Sequence, residues 1–182
     1  FSLFLRGLRS EELIGLPVFE RILQAANNFE NIRILGVLQR LALVSFFGSL
    51  IVLLFKPKHI PWIIGFILVA YWAIIYLSGS MELSSNSLIA IIDRNILGEA
   101  HMYTSHLADG SAIAFDPEGI LSTLPCIAHV LLGFWAGKLI SETKDLGEKI
   151  QKLFIFGTII MFIGFLIDYG FPINKKIWSS SF

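Results

Sequence analysis

The sequence predicts an all-α fold, a polytopic bundle of about four transmembrane helices with one long extracytoplasmic loop. Hydrophobic residues make up 55% of the 182 residues and charged residues only 15%, whereas soluble domains carry about 25% charge. The mean hydropathy is +0.73. The apolar residues are gathered in stretches that approach the roughly 20 residues of helix needed to cross a bilayer.

Composition also narrows the function classes. The formal net charge is zero, which gives no indication of a nucleic-acid partner. Cys126 is the single cysteine, so no internal disulfide is possible. The chain begins at Phe1 without the pattern of a signal peptide. We therefore expect an internal fragment of a longer polytopic protein, with one membrane domain over residues 1–182.

Four stretches predict the spans, and their partner is the lipid bilayer. They cover residues 34–55, 60–78, 118–140 and 153–169. Helices are expected because lipid offers no partner for free backbone N–H and C=O groups. Aromatic residues near the span ends fit interfacial anchors; they are Trp62, Tyr76, Trp135, Tyr169 and Trp178.

Basic residues in the short loops predict the orientation. Lys56 and Lys58 lie in the loop after the first span, and three lysines lie in residues 142–152. The positive-inside rule places both loops in the cytoplasm. Residues 1–33, the loop 79–117 and the tail 170–182 are then extracytoplasmic.

Two segments outside the spans have helical patterns. In residues 1–33, apolar residues recur at helical spacing from Val18 to Phe29, which fits a helix on the membrane surface or an ordinary connecting helix. Within the long loop, residues 88–97 are apolar around Asp93 and Arg94 and predict a short helix.

The third span has one polar or small face. At about 100° per residue, Glu118, Ser122, His129 and Gly133 share a stripe. His129 is either a buried histidine bonded to a neighbouring helix or a cavity-lining group. At the span's start, Asp116 fits a helix N-cap and Pro117 the first helical position.

Cationic and amide side chains lie at the start of the first span. Arg33 lies where it can snorkel to the interface, while Arg40 lies nearly two turns deeper. We expect Arg40 to be an internal cation, paired with a carboxylate or facing an anionic ligand. Gln39 lies beside it. His101 and His106 are only a weak metal signal, and no metal site is predicted.

Four motifs occur in a fixed order along the chain. Residues 33–40 read RILGVLQR, residues 93–103 contain Asp93-Arg94, Leu97-Gly98, His101 and Tyr103, residues 116–123 read DPEGILST, and residues 172–179 read PINKKIWS. Their order and spacing resemble the signature motifs of the heparan-α-glucosaminide N-acetyltransferase family and its bacterial relatives. Leu35 replaces the proline of the family's first motif.

The resemblance implies a function. It implies a transmembrane N-acetyltransferase that moves an acetyl group from acetyl-CoA to an amino sugar or envelope glycan across a membrane. For a bacterial relative this is the inner membrane, with the long loop periplasmic or lumenal. The family's histidine would lie upstream of the first motif, so the catalytic residue is unknown here and the fragment is expected to be inactive alone.

Candidate site residues follow from the polar faces and the motifs. The substrate-binding candidates are Asp116, Glu118, His101, Asn174 and Lys175. The candidates for a cofactor contact or an internal charge are Arg33, Gln39, Arg40 and His129. Small-residue pairs in the third and fourth spans fit contacts within the chain or in a homo-oligomer. The alternatives are a transporter or binding protein for amino sugars or small solutes, and a non-catalytic relative.

Overall fold

A computed structural model describes residues 17, 19–20, 33–82, 84–106, 110 and 112–182. The surface helix predicted within residues 1–33 lies outside the described residues, apart from those three positions. The elements in chain order are α1 (Val37–Leu54), α2 (Ile60–Leu77), α3 (Leu88–Leu97), β1 (Thr104–His106), β2 (Ala112–Ala114), α4 (Thr123–Glu142) and α5 (Leu146–Asp168).

Among the described residues, four helices are long and apolar enough to cross a membrane. They are α1, α2 with the short 3-10 turn Pro57–His59 before it, α4 and α5. The predicted class, a helical membrane bundle, is confirmed. The helices run alternately up and down. We call the end that carries residues 79–122 and the tail the loop end, and the end with the two short turns the hinge end.

Each observed helix differs from its predicted span by at least one residue, as at α1, which begins at Val37 instead of residue 34, and the starts of the third and fourth spans differ most. The third span begins at Thr123 instead of residue 118 and continues to Glu142. Residues 117–122 form turns, and the helix N-cap is Ser122, so the expected cap at Asp116 is wrong. The fourth helix begins seven residues before the predicted start, at Leu146, because the Asp145 side chain accepts a hydrogen bond from Glu148 N and caps it.

The long loop is mostly ordered secondary structure. The predicted helix at residues 88–97 is confirmed as α3; Ser87 caps its start and Gly98, at φ +83°, ends it. The sequence did not predict the hairpin that follows. Its strands are antiparallel, with Ser105 opposite Ile113.

Helix α4 is the centre of the bundle and packs against both α1 and α2. One apolar cluster lies between these helices and includes Val44, Ile64 and Leu131. A second cluster lies at the loop end, where α2, α3, the hairpin and the tail meet around Tyr71 and Phe115. The second cluster fixes the loop segments that carry the polar motifs.

Close approach of helices occurs at a different glycine from those expected. A Cβ at Gly48 of α1 would lie 2.7 Å from Val130 Cγ1 of α4. No described atom lies within 4 Å of a Cβ built at Gly133 or Gly137, so this pair does not mediate close packing among the described residues. Gly164 faces the tail, where an added Cβ would lie 3.0 Å from the carbonyl oxygen of Ser181.

The tail after α5 folds back over the loop end of the bundle. Tyr71 of α2 donates a hydrogen bond to the carbonyl of Ile177, and Ser180 Oγ donates to Leu68 O at 2.8 Å. Phe171 and Ile177 are buried. These contacts bring the last sequence motif next to the first and third motifs.

Candidate functional site

The candidate site is built around residues 116–122, the link between β2 and α4, which we call the acidic segment. Three side chains from distant parts of the chain hold it: Arg33 before α1, Arg40 on α1 and Asp93 on α3. Because these partners satisfy its polar groups, the segment is held as turns and not as the start of α4.

Asp116 is the buried anchor of this segment. Its side chain is 0% exposed, and Arg33 meets it in a fork, with Nε 3.0 Å from Oδ2 and Nη2 2.5 Å from Oδ1. The backbone N–H groups of Tyr103 and Glu118 also donate to it, at 3.3 and 3.0 Å. With four donors around it, Asp116 is satisfied as an anion by the protein itself.

Glu118 faces a groove at the loop end. One of its oxygens accepts a hydrogen bond from Arg33 Nη2, and its side chain is 22% exposed. The hydrogen bond to Asp116 raises the pKa of Arg33 above its ordinary value against the opposing effect of burial, and the bond to Glu118 adds to the rise. Arg33 is therefore a fixed cation, and it also lies 4.9 Å from the ring centre of Tyr103.

The groove has a volume of about 550 Å³. Its lining residues lie in or next to all four sequence motifs. They are Arg33, Tyr103, Ser105, His106, Pro117, Glu118 and Lys176. Lys176 Nζ lies 3.4 Å from the carbonyl oxygen of His106, so the tail closes one side of the groove. A groove lined by a carboxylate paired with Arg33, a lysine and an aromatic ring suits a ligand with an amine and several hydroxyl groups.

Arg40 is buried, at 6% exposure, as expected for an internal cation. Its partners differ from both expectations, because they are two carbonyls and a thiol in place of a carboxylate or an open anion site. It donates to Pro117 O at 2.9 Å, to Ser122 O at 2.6 Å and to Cys126 Sγ at 2.7 Å. Its guanidinium lies 4.4 Å from the ring centre of Trp178. Arg40 thus holds the end of the acidic segment on the first turn of α4.

His129 lies within α4 and contacts the tail. Its Nδ1 is 2.8 Å from Pro125 O and 3.3 Å from Trp178 Nε1. A carbonyl only accepts hydrogen bonds, so the shorter contact assigns the ring proton to Nδ1. The imidazole lines a largely apolar cavity of about 320 Å³ between α2, α4, α5 and the tail. His129 is exposed and its carbonyl partner belongs to its own helix, so the expected buried histidine bonded to a neighbouring helix is wrong. Its position in the cavity wall agrees with the cavity-lining alternative.

The other predicted residues lie outside the groove. Gln39 is exposed on the first turn of α1. Asn174 organises the tail, since its Oδ1 accepts from Lys176 N and its own N–H donates to Ser179 Oγ. Lys175 is exposed, and the neighbouring Lys176 is the lysine that reaches the groove. The backbone carbonyl of His101 accepts from Ile34 N, which ties the loop to the start of α1.

Sequence reasoning left Asp93, Tyr103 and Lys176 out of the candidate site. Asp93 had one available signal, a carboxylate in the middle of an apolar ten-residue helix. Tyr103 and Lys176 had only their positions inside motifs. Within the described ranges, no group of three or more His, Cys, Asp or Glu side chains is placed to hold a metal ion.

Comparisons with known proteins agree with the motifs. The mouse heparan-alpha-glucosaminide N-acetyltransferase is 38% identical over 101 residues, which is 50% of this chain and 15% of that protein. The human heparan-alpha-glucosaminide N-acetyltransferase is 28% identical over 204 residues, covering 85% of this chain and 31% of that protein. No protein-family profile and no solved structure matches the chain.

The chain spans less than a third of the length of the curated relatives it matches. Its four apolar helices and these relatives indicate an integral membrane protein. The motifs therefore predicted the relationship correctly: the chain is similar to a part of the heparan-alpha-glucosaminide N-acetyltransferases.

Proposed function

We propose that this chain forms the acceptor-binding part of an integral membrane N-acetyltransferase, which transfers an acetyl group from acetyl-CoA to the amine of an amino sugar or glycan. The names of the mouse and human relatives support the reaction type. The single observation that supports the acceptor site is the groove at the loop end, where all four motifs meet around Glu118.

The chemistry of the groove fits an amino sugar. The exposed oxygen of Glu118 binds the ammonium group of the incoming sugar, while Arg33 keeps the carboxylate oriented. Tyr103 offers a half-exposed ring edge for the sugar's apolar face, and Lys176 donates to hydroxyl or carboxylate oxygens. Asp116 does not contact the acceptor in this arrangement, because its four donors come from the protein.

The acyl donor fits the hinge end. Acetyl-CoA supplies the activated thioester, and its phosphates need cations. Lys56 and Lys58 are exposed in the first hinge turn, in which no carboxylate occurs. A cleft of about 690 Å³ at the second hinge turn contains Lys138, Lys144 and Lys152, alongside three carboxylates. The catalytic base is unassigned, since the resemblance places the family's histidine before the first motif.

Steady-state kinetics of the complete protein in proteoliposomes test the acceptor site. Glu118→Gln should raise the acceptor KM by about tenfold or more, because it removes a charge-assisted hydrogen bond worth about 1.5–3 kcal/mol. Glu99→Gln is the matched control, since Glu99 is an exposed carboxylate of the same loop. An unchanged acceptor KM in Glu118→Gln rejects the groove as the acceptor site. Flux of labelled amino sugar without acetyl-CoA favours the transporter alternative.

The same proposal places the loop end outside the cytoplasm and the hinge end inside, in the inner membrane if the source is bacterial. A Cys126→Ala background removes the single thiol of residues 1–182, and any cysteine elsewhere in the complete protein is replaced as well. In that background, Glu99→Cys should react with an impermeant thiol reagent in intact cells, and Lys144→Cys only after permeabilisation. The reverse pattern would invert the orientation.

A further inference from the structure

Asp93 is a buried carboxylate that the acceptor-binding proposal does not use. It lies on α3, is 0% exposed, and its Oδ1 accepts a hydrogen bond from Ile120 N at 2.8 Å. Its Oδ2 has no hydrogen-bond partner among the described residues. A buried, ionised oxygen without a partner is costly, and proteins seldom keep one without a reason.

The carboxylate is also fitted closely to the acidic segment. A Cβ added to Gly119 would overlap the carboxylate of Asp93, with Cγ only 2.6 Å away. Gly119 is therefore the residue that lets the segment lie directly on Asp93. Because Glu118 is the preceding residue, any movement of the segment away from Asp93 moves the groove's carboxylate as well.

Several ionisable groups face Asp93 from the elements around it. They are Asp116 in the acidic segment, Arg40 on α1 and Tyr71 on α2, with Arg94 next to it on α3. Burial raises the pKa of Asp93 to about 6 against the opposing bond from Ile120 N, and the negative charge of Asp116 adds to the rise, while Arg40 lowers it. Asp93 thus changes charge in the range where most carboxylates have already ionised.

We propose that Asp93 is a positioning residue that acts as a proton-operated latch on residues 116–122: protonated, it holds the segment closed, and ionised, it favours opening of the segment and movement of Glu118. The sign follows from linkage. Opening exposes Asp93 to water, where its pKa falls toward the ordinary value, so the open form binds fewer protons than the closed form. The closed form is consequently most favoured at low pH and loses stability as the pH rises through about 6.

The importance of the latch for acceptor binding rests on the proposed function, but the latch itself is measurable without activity. Hydrogen exchange of residues 116–122, corrected for intrinsic rates, reports the opening equilibrium in the complete protein. The pKa of Asp93 is about 6 in the closed form and falls toward the ordinary 3.8 in the open form. Each unit of this difference changes the opening equilibrium tenfold, so opening can be up to about a hundredfold more frequent at pH 7.5 than at pH 4. Between pH 5 and 7.5 we expect at least a severalfold loss of protection.

Asp93→Asn is the neutral isostere and should keep the segment protected at both pH values. Glu99→Gln should retain the wild-type pH dependence, because Glu99 is exposed in the same loop. If Asp93→Asn retains the wild-type dependence, or if the wild type shows none, the latch is wrong. Should Asp93→Asn fold poorly, infrared spectra of the wild type decide instead: a buried carboxylic-acid C=O band that titrates near pH 6 supports the latch, and its absence at pH 5 rejects it.

A second readout separates the latch from the proposed function. If the latch operates in catalysis, the acceptor KM of the wild type varies with pH across the same range as the hydrogen exchange, and Asp93→Asn flattens that variation. Hydrogen exchange that depends on Asp93 in a protein without acetyl transfer would reject the enzyme proposal while retaining the latch. Acetyl transfer together with hydrogen exchange that does not depend on pH would reject the latch and retain the enzyme proposal.

Discussion

Asp116 and Glu118 are two residues apart, yet their environments assign them different roles. Asp116 is fully buried under four hydrogen-bond donors, whereas Glu118 has one oxygen on Arg33 and one side open to the groove. The first arrangement stabilises the fold and the second leaves an acceptor free for a ligand. A substitution of Asp116 should therefore lower stability, and a substitution of Glu118 should weaken ligand binding.

Asp116→Asn should lower the free energy of unfolding by about 1.5–3 kcal/mol, because it weakens the charged pair that orders the acidic segment. Arg33 is 30% exposed, so solvent compensates it in part and the loss should stay at the lower end. Thermal unfolding of purified protein in detergent measures the change. Glu118→Gln is the comparison and should unfold close to the wild type; equal losses in both variants contradict the division of roles.

Gly119→Ala tests the close fit between the acidic segment and α3. The added methyl group overlaps the Asp93 carboxylate, so we expect a loss of about 1–3 kcal/mol, the usual range for overpacking. In the double variant Gly119→Ala with Asp93→Ala, the space is restored and the two effects should be clearly non-additive. Additive losses in a double-mutant cycle of thermal stabilities would show that the two residues do not share this contact.

At the scale of single elements, the contact between α1 and α4 depends on a glycine that faces a valine. Gly48→Ala would place Cβ 2.7 Å from Val130 Cγ1, so either the valine side chain or the two packed helices must shift. We expect destabilisation of about 1–3 kcal/mol. Gly65→Ala is the matched control in α2, since no described atom lies within 4 Å of its Cβ position.

Thermal unfolding of the two alanine variants checks this expectation. Gly65→Ala should be neutral or slightly stabilising, because alanine has the higher helix propensity. Adding Val130→Ala to Gly48→Ala should recover part of the loss, as the smaller side chain makes room for the methyl group. If Gly48→Ala unfolds at the same temperature as Gly65→Ala, α1 and α4 are not in close contact at this position.

The elements also show why sequence reasoning located some features and missed others. Helix α3 was predicted correctly because its signals are local: Ser87 is a good N-cap and Gly98 supplies the left-handed C-cap. The start of α4 was predicted wrongly from equally good local signals. Asp116 and Pro117 resemble a cap and a first turn, but Arg33 and Arg40, more than 70 residues earlier, hold them in turns.

The candidate site shows the same distinction. The sequence singled out Arg33, Asp116 and Glu118, and the structure brings them together across 83 to 85 residues. It offered no means to choose Lys176 over Lys175, since which of two adjacent lysines reaches the groove depends on the turns of the tail. Arg40 was expected to pair with a carboxylate or an anionic ligand, but it donates to two backbone carbonyls. This choice of partners likewise depends on tertiary packing alone.

On the scale of the whole molecule, the tail connects helices that are distant in sequence. Trp178 stacks near Arg40 of α1 and contacts His129 of α4, and its neighbours bind α2 through Tyr71 and Leu68. Trp178 holds this position at φ +51°, in the left-handed region that a bulky residue rarely adopts. The strain persists because the surrounding contacts fix the side chain.

The strained backbone and the lost side chain can be separated by two substitutions of Trp178. Trp178→Ala and Trp178→Gly both remove the indole, and both should lower thermal stability in detergent, because the cation–π contact and the partly buried ring surface are lost. Alanine still meets the left-handed conformation with a Cβ, whereas glycine adopts it freely. We therefore expect Trp178→Gly to be more stable than Trp178→Ala by about 1 kcal/mol. If alanine is the more stable of the two, Trp178 does not keep this left-handed conformation, and the strained backbone is not part of how the tail joins α1, α2 and α4 at the loop end.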